Sequence, residues 1–169
     1  MPTNETWMYQ GRQEHGWFGS GAAPKTDSSD GGAEGDTPPP YIATDPLSFI
    51  GHGQVGDGEC VALVKRATGA PQTSSWHAGE SVEAHAPPAG TAVATFDPDG
   101  HYGNHTDGTS HAAILTKWTP RGFWALEQYN VRDKNNNVVH RELPGLRFYE
   151  FGSTNRKVID NGSNYRVVR

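Results

Sequence analysis

The sequence predicts an α+β domain in which a helix carrying the chain's one cysteine packs on an antiparallel sheet of about five to six strands. Two observations predict it. The stretch Glu59-Cys-Val-Ala-Leu-Val-Lys-Arg-Ala67 holds good helix formers, with Cys60, Leu63, Val64 and Ala67 at the i, i+3, i+4, i+7 spacing of one helix face. Beyond it the pattern changes to strand-like runs separated by turn residues. A helix followed by a run of strands argues for α+β.

The elements follow in order. Gly51-His-Gly-Gln-Val-Gly-Asp-Gly58 is glycine-rich and reads as a loop. The helix starts near Cys60 and is ended by Gly69 and Pro71. Residues 72–90 read as loop, with a helical turn near Trp76. Thr91–Phe96 is a strand and Asp97-Pro-Asp-Gly100 a turn. His111–Trp118 and Phe123–Tyr129 are strands joined by the turn Thr119-Pro-Arg-Gly122. Val138–Arg141, Leu146–Phe151 and Asn164–Val168 complete the expected sheet.

Residues 1–40 differ in composition. Gly19 to Asp36 is small and polar and leads into Thr37-Pro-Pro-Pro40. Such a stretch buries too little apolar area to offset its ordering entropy, so it reads as a flexible Gly/Ser/Pro-rich arm, with the domain spanning 41–169. Trp7, Tyr9, Trp17 and Phe18 are the arm's aromatics.

The 169 residues suffice for one core. With 14 basic and 19 acidic side chains the formal net charge is −5, and no block of like charge suggests a nucleic-acid footprint. No apolar run approaches the ~20 residues of a membrane span. Met1–Gly35 has no basic start followed by an apolar core, so a Sec signal is not expected.

A single cysteine cannot form an internal disulfide, and a lone Cys is usually a buried small hydrophobe. The setting of Cys60 argues otherwise. At a helix start the backbone N–H groups are unpaired and the dipole favours negative charge, which stabilises a thiolate and can hold an oxyanion. The glycines before it allow close approach of a substrate. A thiolate needs a base. His111 opens a strand next to the polar loop Gly103–Ser110, where a base is both held and reachable; His101 and His105 lie in looser loop positions. The base needs an orienting group. Glu127 and Gln128 on the next strand point to opposite faces, so only one can serve, and Asn130 shares the Gln128 face. A metal site is the rival use of His101, His105, Asp107 and His111, but their spacings fit no zinc pattern and a Cys pair is lacking.

These segments together resemble a known family. Glu59-Cys60-Val-Ala-Leu-Val-Lys65, Ala70–Trp76 with Gly79, Gly90-Thr-Ala-Val-Ala-Thr-Phe-Asp97, His111-Ala-Ala-Ile114 and Glu127-Gln-Tyr129 are similar to the type VI secretion amidase effectors. These belong to the papain-like, CHAP/NlpC-like cysteine peptidases, and the branch concerned has a Cys-Val-Ala-Leu-Val helix and an Asp-Gln-Trp strand. The resemblance covers roughly residues 45–169. It implies a papain-like fold, Cys60 as nucleophile, His111 as base, and Glu127 or Gln128 as the third group. It implies no cofactor and a peptidoglycan peptide substrate, with the diaminopimelate–D-alanine cross-link first and the D-glutamyl–diaminopimelate bond second. Loops 72–90 and 97–110 would wall the groove, with Trp76, Tyr102 and Asn104 touching the peptide.

The resemblance also implies partners: a secretion-machine component and a cognate immunity protein, with action in the periplasm of a target Gram-negative cell. Two residues depart from the family pattern. Glu59 stands where Gln often precedes the Cys, and a carboxylate there opposes thiolate formation unless it turns away. Glu127 replaces Asp and reaches further. The alternatives are a catalytically silent peptidoglycan-binding module and a cysteine hydrolase of another acyl substrate.

Overall fold

The computed structural model describes residues 37–154 and 157–169; most of the expected arm lies outside the described residues. Its centre is a six-stranded, wholly antiparallel sheet with strand order β1-β6-β2-β3-β4-β5. The strands are β1 (Ala78–Ser81), β2 (Ala92–Thr95), β3 (Ala112–Thr119), β4 (Gly122–Arg132), β5 (Val138–Glu150) and β6 (Tyr165–Val168). The helices are α1 (Cys60–Thr68) and the short α2 (Val82–His85).

The α1 stripe does what its spacing requires. Leu63 and Val64 are fully buried, and Cys60, Val61 and Ala67 pack beside them on one face of the sheet, against Ala92, Ala94, Ala112, Ile114 and Leu126. Gly69 ends the helix at φ 73, and its N–H donates to the Lys65 carbonyl. The opposite face of the sheet carries a second cluster, built from Val82, Val93, Ala113, Leu115, Phe123, Ala125, Tyr149 and Tyr165. Alternation along β3 and β4 deals successive residues to these two layers, which is why β2 is buried along its whole length.

Two expectations need correction. Residues 72–90 are not all loop, because β1 and α2 lie within them. Ala-Gly-Glu-Ser is poor in strand formers and becomes a strand only through its pairing with β6, a contact remote in sequence. The two strands expected over 138–151 are one, running through Pro144. β5 is an edge strand, and its register against β4 shifts between Glu127↔Gly145 and Tyr129↔Glu142. A proline with no N–H to donate is tolerated at such an irregular edge.

Candidate active site

The loop before α1 is fixed to β4 by side chains rather than by a ladder. The Gln128 amide is fully buried. Its Oε1 accepts from the Val55 N–H at 2.8 Å, and its Nε2 donates to the carbonyls of Val55 (2.8 Å) and Glu59 (3.0 Å). Asn130 Nδ2 donates to the Asp57 carbonyl at 3.0 Å, and its Oδ1 accepts from Gln54 Nε2 at 3.1 Å. Gly58 sits under this amide pair at φ 84, where a Cβ would strike Gln54 and Asn130. These bonds place Glu59 as the residue before α1 and Cys60 as its first helical residue.

Glu59 does not aim its charge at the thiol. Its Oε1 accepts from Arg132 Nη2 at 2.6 Å and from Asn130 Nδ2 at 3.1 Å. The half-buried Cys60 Sγ lies 3.7 Å from the Tyr102 hydroxyl. Burial pushes the thiol up. The His111 imidazole outweighs it by charge and hydrogen bond, with help from the Ala112 backbone and Tyr102, and holds the thiol below its usual value. Burial and the neighbouring Cys60 charge keep the Tyr102 phenol protonated, so it is available as a donor.

His111 is pinned before it enters β3. Its N–H donates to Thr95 Oγ1 and its carbonyl accepts the Thr95 N–H, both at 3.0 Å. Its Nε2 lies 2.7 Å from Glu127 Oε2. Burial works against the imidazolium, but the Cys60 and Glu127 charges and hydrogen bonds prevail and push its pKa up to about 10. Thiol and imidazole are thus biased toward a thiolate–imidazolium pair. Burial also acts against the Glu127 carboxylate, and His111, Tyr149 and Arg147 overcome it to hold the group below the usual range.

Of the two orienting groups left open by the sequence, the structure brings Glu127 to His111, and Gln128 faces the α1 side. Glu127 alternates with Phe123 and Ala125 of the second cluster, and Gln128 is in phase with Leu126 of the first. An open groove of about 1070 Å³ runs past Cys60 and His111 and is lined also by Tyr102, Asn104, Tyr129 and Arg147. Tyr102 and Asn104 therefore lie where a peptide could meet them, Asn104 at φ 52.

Trp76 is a correction: it is 0% exposed, packs 5.3 Å from the Tyr102 ring, and gives its indole N–H to the Pro71 carbonyl. It supports Tyr102 from the core and cannot touch a substrate. His105 pairs with Asp97 at 2.9 Å, and His101 contacts His77 ring to ring. Among the described residues no three His, Cys, Asp or Glu side chains group as metal ligands. Sequence reasoning missed Thr95, Arg132, Arg147 and Tyr149, whose roles arise from pairings across strands and carry no local signature.

A family model described as domesticated amidase effector 2 matches residues 40–168. A solved structure described as type 6 secretion amidase effector 2 (Tae2) shares the fold, with a TM-score of 0.62 at 24% identity over 76% of this chain and 94% of that one. No curated protein matches.

Proposed function

The chain belongs to the domesticated amidase effector 2 family, and from that premise we propose that it is a cysteine amidase that cuts an amide bond in peptidoglycan peptides. The observation that carries the reading is the file Cys60, His111, Glu127, with a lowered thiol at a helix start and an imidazole tied to a buried carboxylate.

In the proposed reaction the Cys60 thiolate attacks the carbonyl carbon of the scissile amide. The carbonyl π pair moves to oxygen, and that oxyanion is met by the unpaired N–H groups at the start of α1 and by the Tyr102 hydroxyl. The His111 imidazolium gives its proton to the leaving nitrogen as the C–N bond breaks, leaving a thioester on Cys60. His111, now neutral, takes a proton from water. The resulting attack on the thioester releases the carboxylic acid and returns the thiolate–imidazolium pair. Glu127 keeps the ring oriented and its positive form favourable throughout.

The bond proposed is the diaminopimelate–D-alanine cross-link, with the D-glutamyl–diaminopimelate bond second. Likeness to a type 6 secretion effector supports an antibacterial role in a target cell's periplasm, with a secretion-machine component and an immunity protein as partners. Among the described residues no helix is long and apolar enough to cross a membrane. Residues 1–40 are proposed as an arm separate from the catalytic domain 41–169. Digestion of purified sacculi, with the released muropeptides weighed by mass spectrometry, tests the bond. New amine and carboxyl ends at the cross-link are expected, and glycan cuts alone would refute the proposal.

A further inference from the structure

Glu127 is 4% exposed and ionised, so protein groups must replace the water it has lost. His111 supplies one. The others come from β5, whose alternate residues Arg147 and Tyr149 lie opposite Ala125 and Phe123 of β4. The Tyr149 hydroxyl donates to Glu127 Oε2, the oxygen that also meets His111, and Arg147 Nη1 stands 3.7 Å from Oε1.

Both groups are themselves held. Tyr149 is 1% exposed, stacks on Phe123 at 5.2 Å and meets Tyr165 at 4.8 Å. Arg147 lies over the Tyr149 ring, 5.0 Å from its centroid, and pairs with Asp160. The turn carrying Asp160 is tied in by the Tyr165 hydroxyl, which donates to the Ile159 carbonyl at 2.7 Å. The titratable groups around Glu127 are thus Cys60 from α1, His111 before β3, Tyr129 from β4, Arg147 and Tyr149 from β5, Tyr165 from β6 and Asp160 from the turn. Neutralising a carboxylate needs only a nearby cation. The Tyr149 hydroxyl is a donor of fixed direction on Oε2 and so also fixes the orientation, while Arg147 supplies the charge beside Oε1.

We propose that Tyr149 and Arg147 are positioning residues that act through Glu127, the phenol aiming Oε2 at His111 and the guanidinium keeping the carboxylate charged. This rests on Glu127 orienting His111 as proposed above.

Two readouts on the full chain test it. The rate of Cys60 alkylation by iodoacetamide across pH reports thiolate formation whatever the substrate. Hydrolysis of a soluble cross-linked muropeptide gives kcat and KM separately. Tyr149→Phe keeps the ring and removes only the hydroxyl. It is expected to lower kcat about tenfold with KM little changed, the scale of a small misplacement in a catalytic array. The acid limb of both profiles should move up in pH: a carboxylate that loses its donor takes a proton more readily, and a neutral Glu127 supports the imidazolium, and through it the Cys60 thiolate, less well. Arg147→Met should move the limb the same way and Arg147→Lys should restore most of it. On a Glu127→Gln background Tyr149→Phe should add nothing, since its effect passes through the carboxylate.

Unmoved acid limbs, an undiminished Tyr149→Phe effect on the Glu127→Gln background, or a lowered Tm as the sole change would overturn the proposal. If the wild type leaves the muropeptide intact while the alkylation profiles shift as stated, the positioning role stands and the substrate reading fails.

Discussion

Glu127 and Gln128 are neighbours on one strand, nearly equal in size and almost fully buried, yet they serve opposite faces of the sheet in different ways. On the α1 side, Gln128 meets only neutral backbone groups, and an amide satisfies them with no charge to desolvate. On the other side, Glu127 carries a charge and needs a histidine, a phenol and a guanidinium around it. The proposed nucleophile is thus positioned by a neutral clamp on its loop, and the proposed base by a charged network. The first should govern where Cys60 sits, the second how it and His111 share a proton.

The largest expected effects remove the reacting groups. Cys60→Ala and His111→Ala should each cost roughly 10⁴-fold or more in turnover with the fold retained, and should not add when combined, since the two act as a unit. Cys60→Ala also probes the charge coupling: the His111 ring, followed by NMR, should titrate below its wild-type value once the thiolate is gone. In the wild type, the acid function of His111 should fade as pH rises through about 10, where the imidazolium loses its proton. Activity should fall at the acid end below the ordinary thiol pKa, as the lowered thiolate is protonated. A pH–rate profile measures both limbs.

Next is the contrast itself. Glu127→Gln should cost on the order of 10²–10⁴ in kcat and leave thermal stability nearly intact, since the ring loses its counter-charge and its fixed orientation. Gln128→Leu should do the reverse. It strands the Val55 N–H and takes one of two bonds from the Val55 and Glu59 carbonyls, which still accept from Gly58 and Ala62, so a loss of about 1–3 kcal/mol in urea unfolding is expected, with a smaller fall in kcat. Equal effects of the two changes on stability and rate would erase the distinction between the faces.

A smaller effect belongs to Glu59. Arg132→Met should leave its carboxylate without a counter-charge, held by Asn130 alone, and slow Cys60 alkylation a few-fold, while changing stability by less than about 1 kcal/mol, as for a partly exposed pair. Glu59→Gln on that background should restore the rate. The smallest effect is expected from deleting residues 1–36: muropeptide turnover should be unchanged, because the family match begins at residue 40.

The helix start at Cys60, its end at Gly69 and the central strands were legible in the sequence, because caps, glycines and short-range periodicity are local. β1 was not, because Ala-Gly-Glu-Ser becomes a strand only beside β6, more than eighty residues along the chain. Trp76 read as a groove residue because an aromatic in a loop has no periodicity to reveal its burial.

By itself the sequence singled out Cys60 as the candidate nucleophile, since there is one thiol, and placed it at a helix start behind a glycine loop. It also determined that Glu127 and Gln128 must face opposite ways, since the side-chain period of a strand is two. Which of them meets His111 was decided only by tertiary structure. The phase of β4 depends on which face α1 covers, and the further partners of Glu127 depend on the register of β5, which brings Arg147 and Tyr149 from twenty or more residues away to a carboxylate that would otherwise be buried with His111 alone.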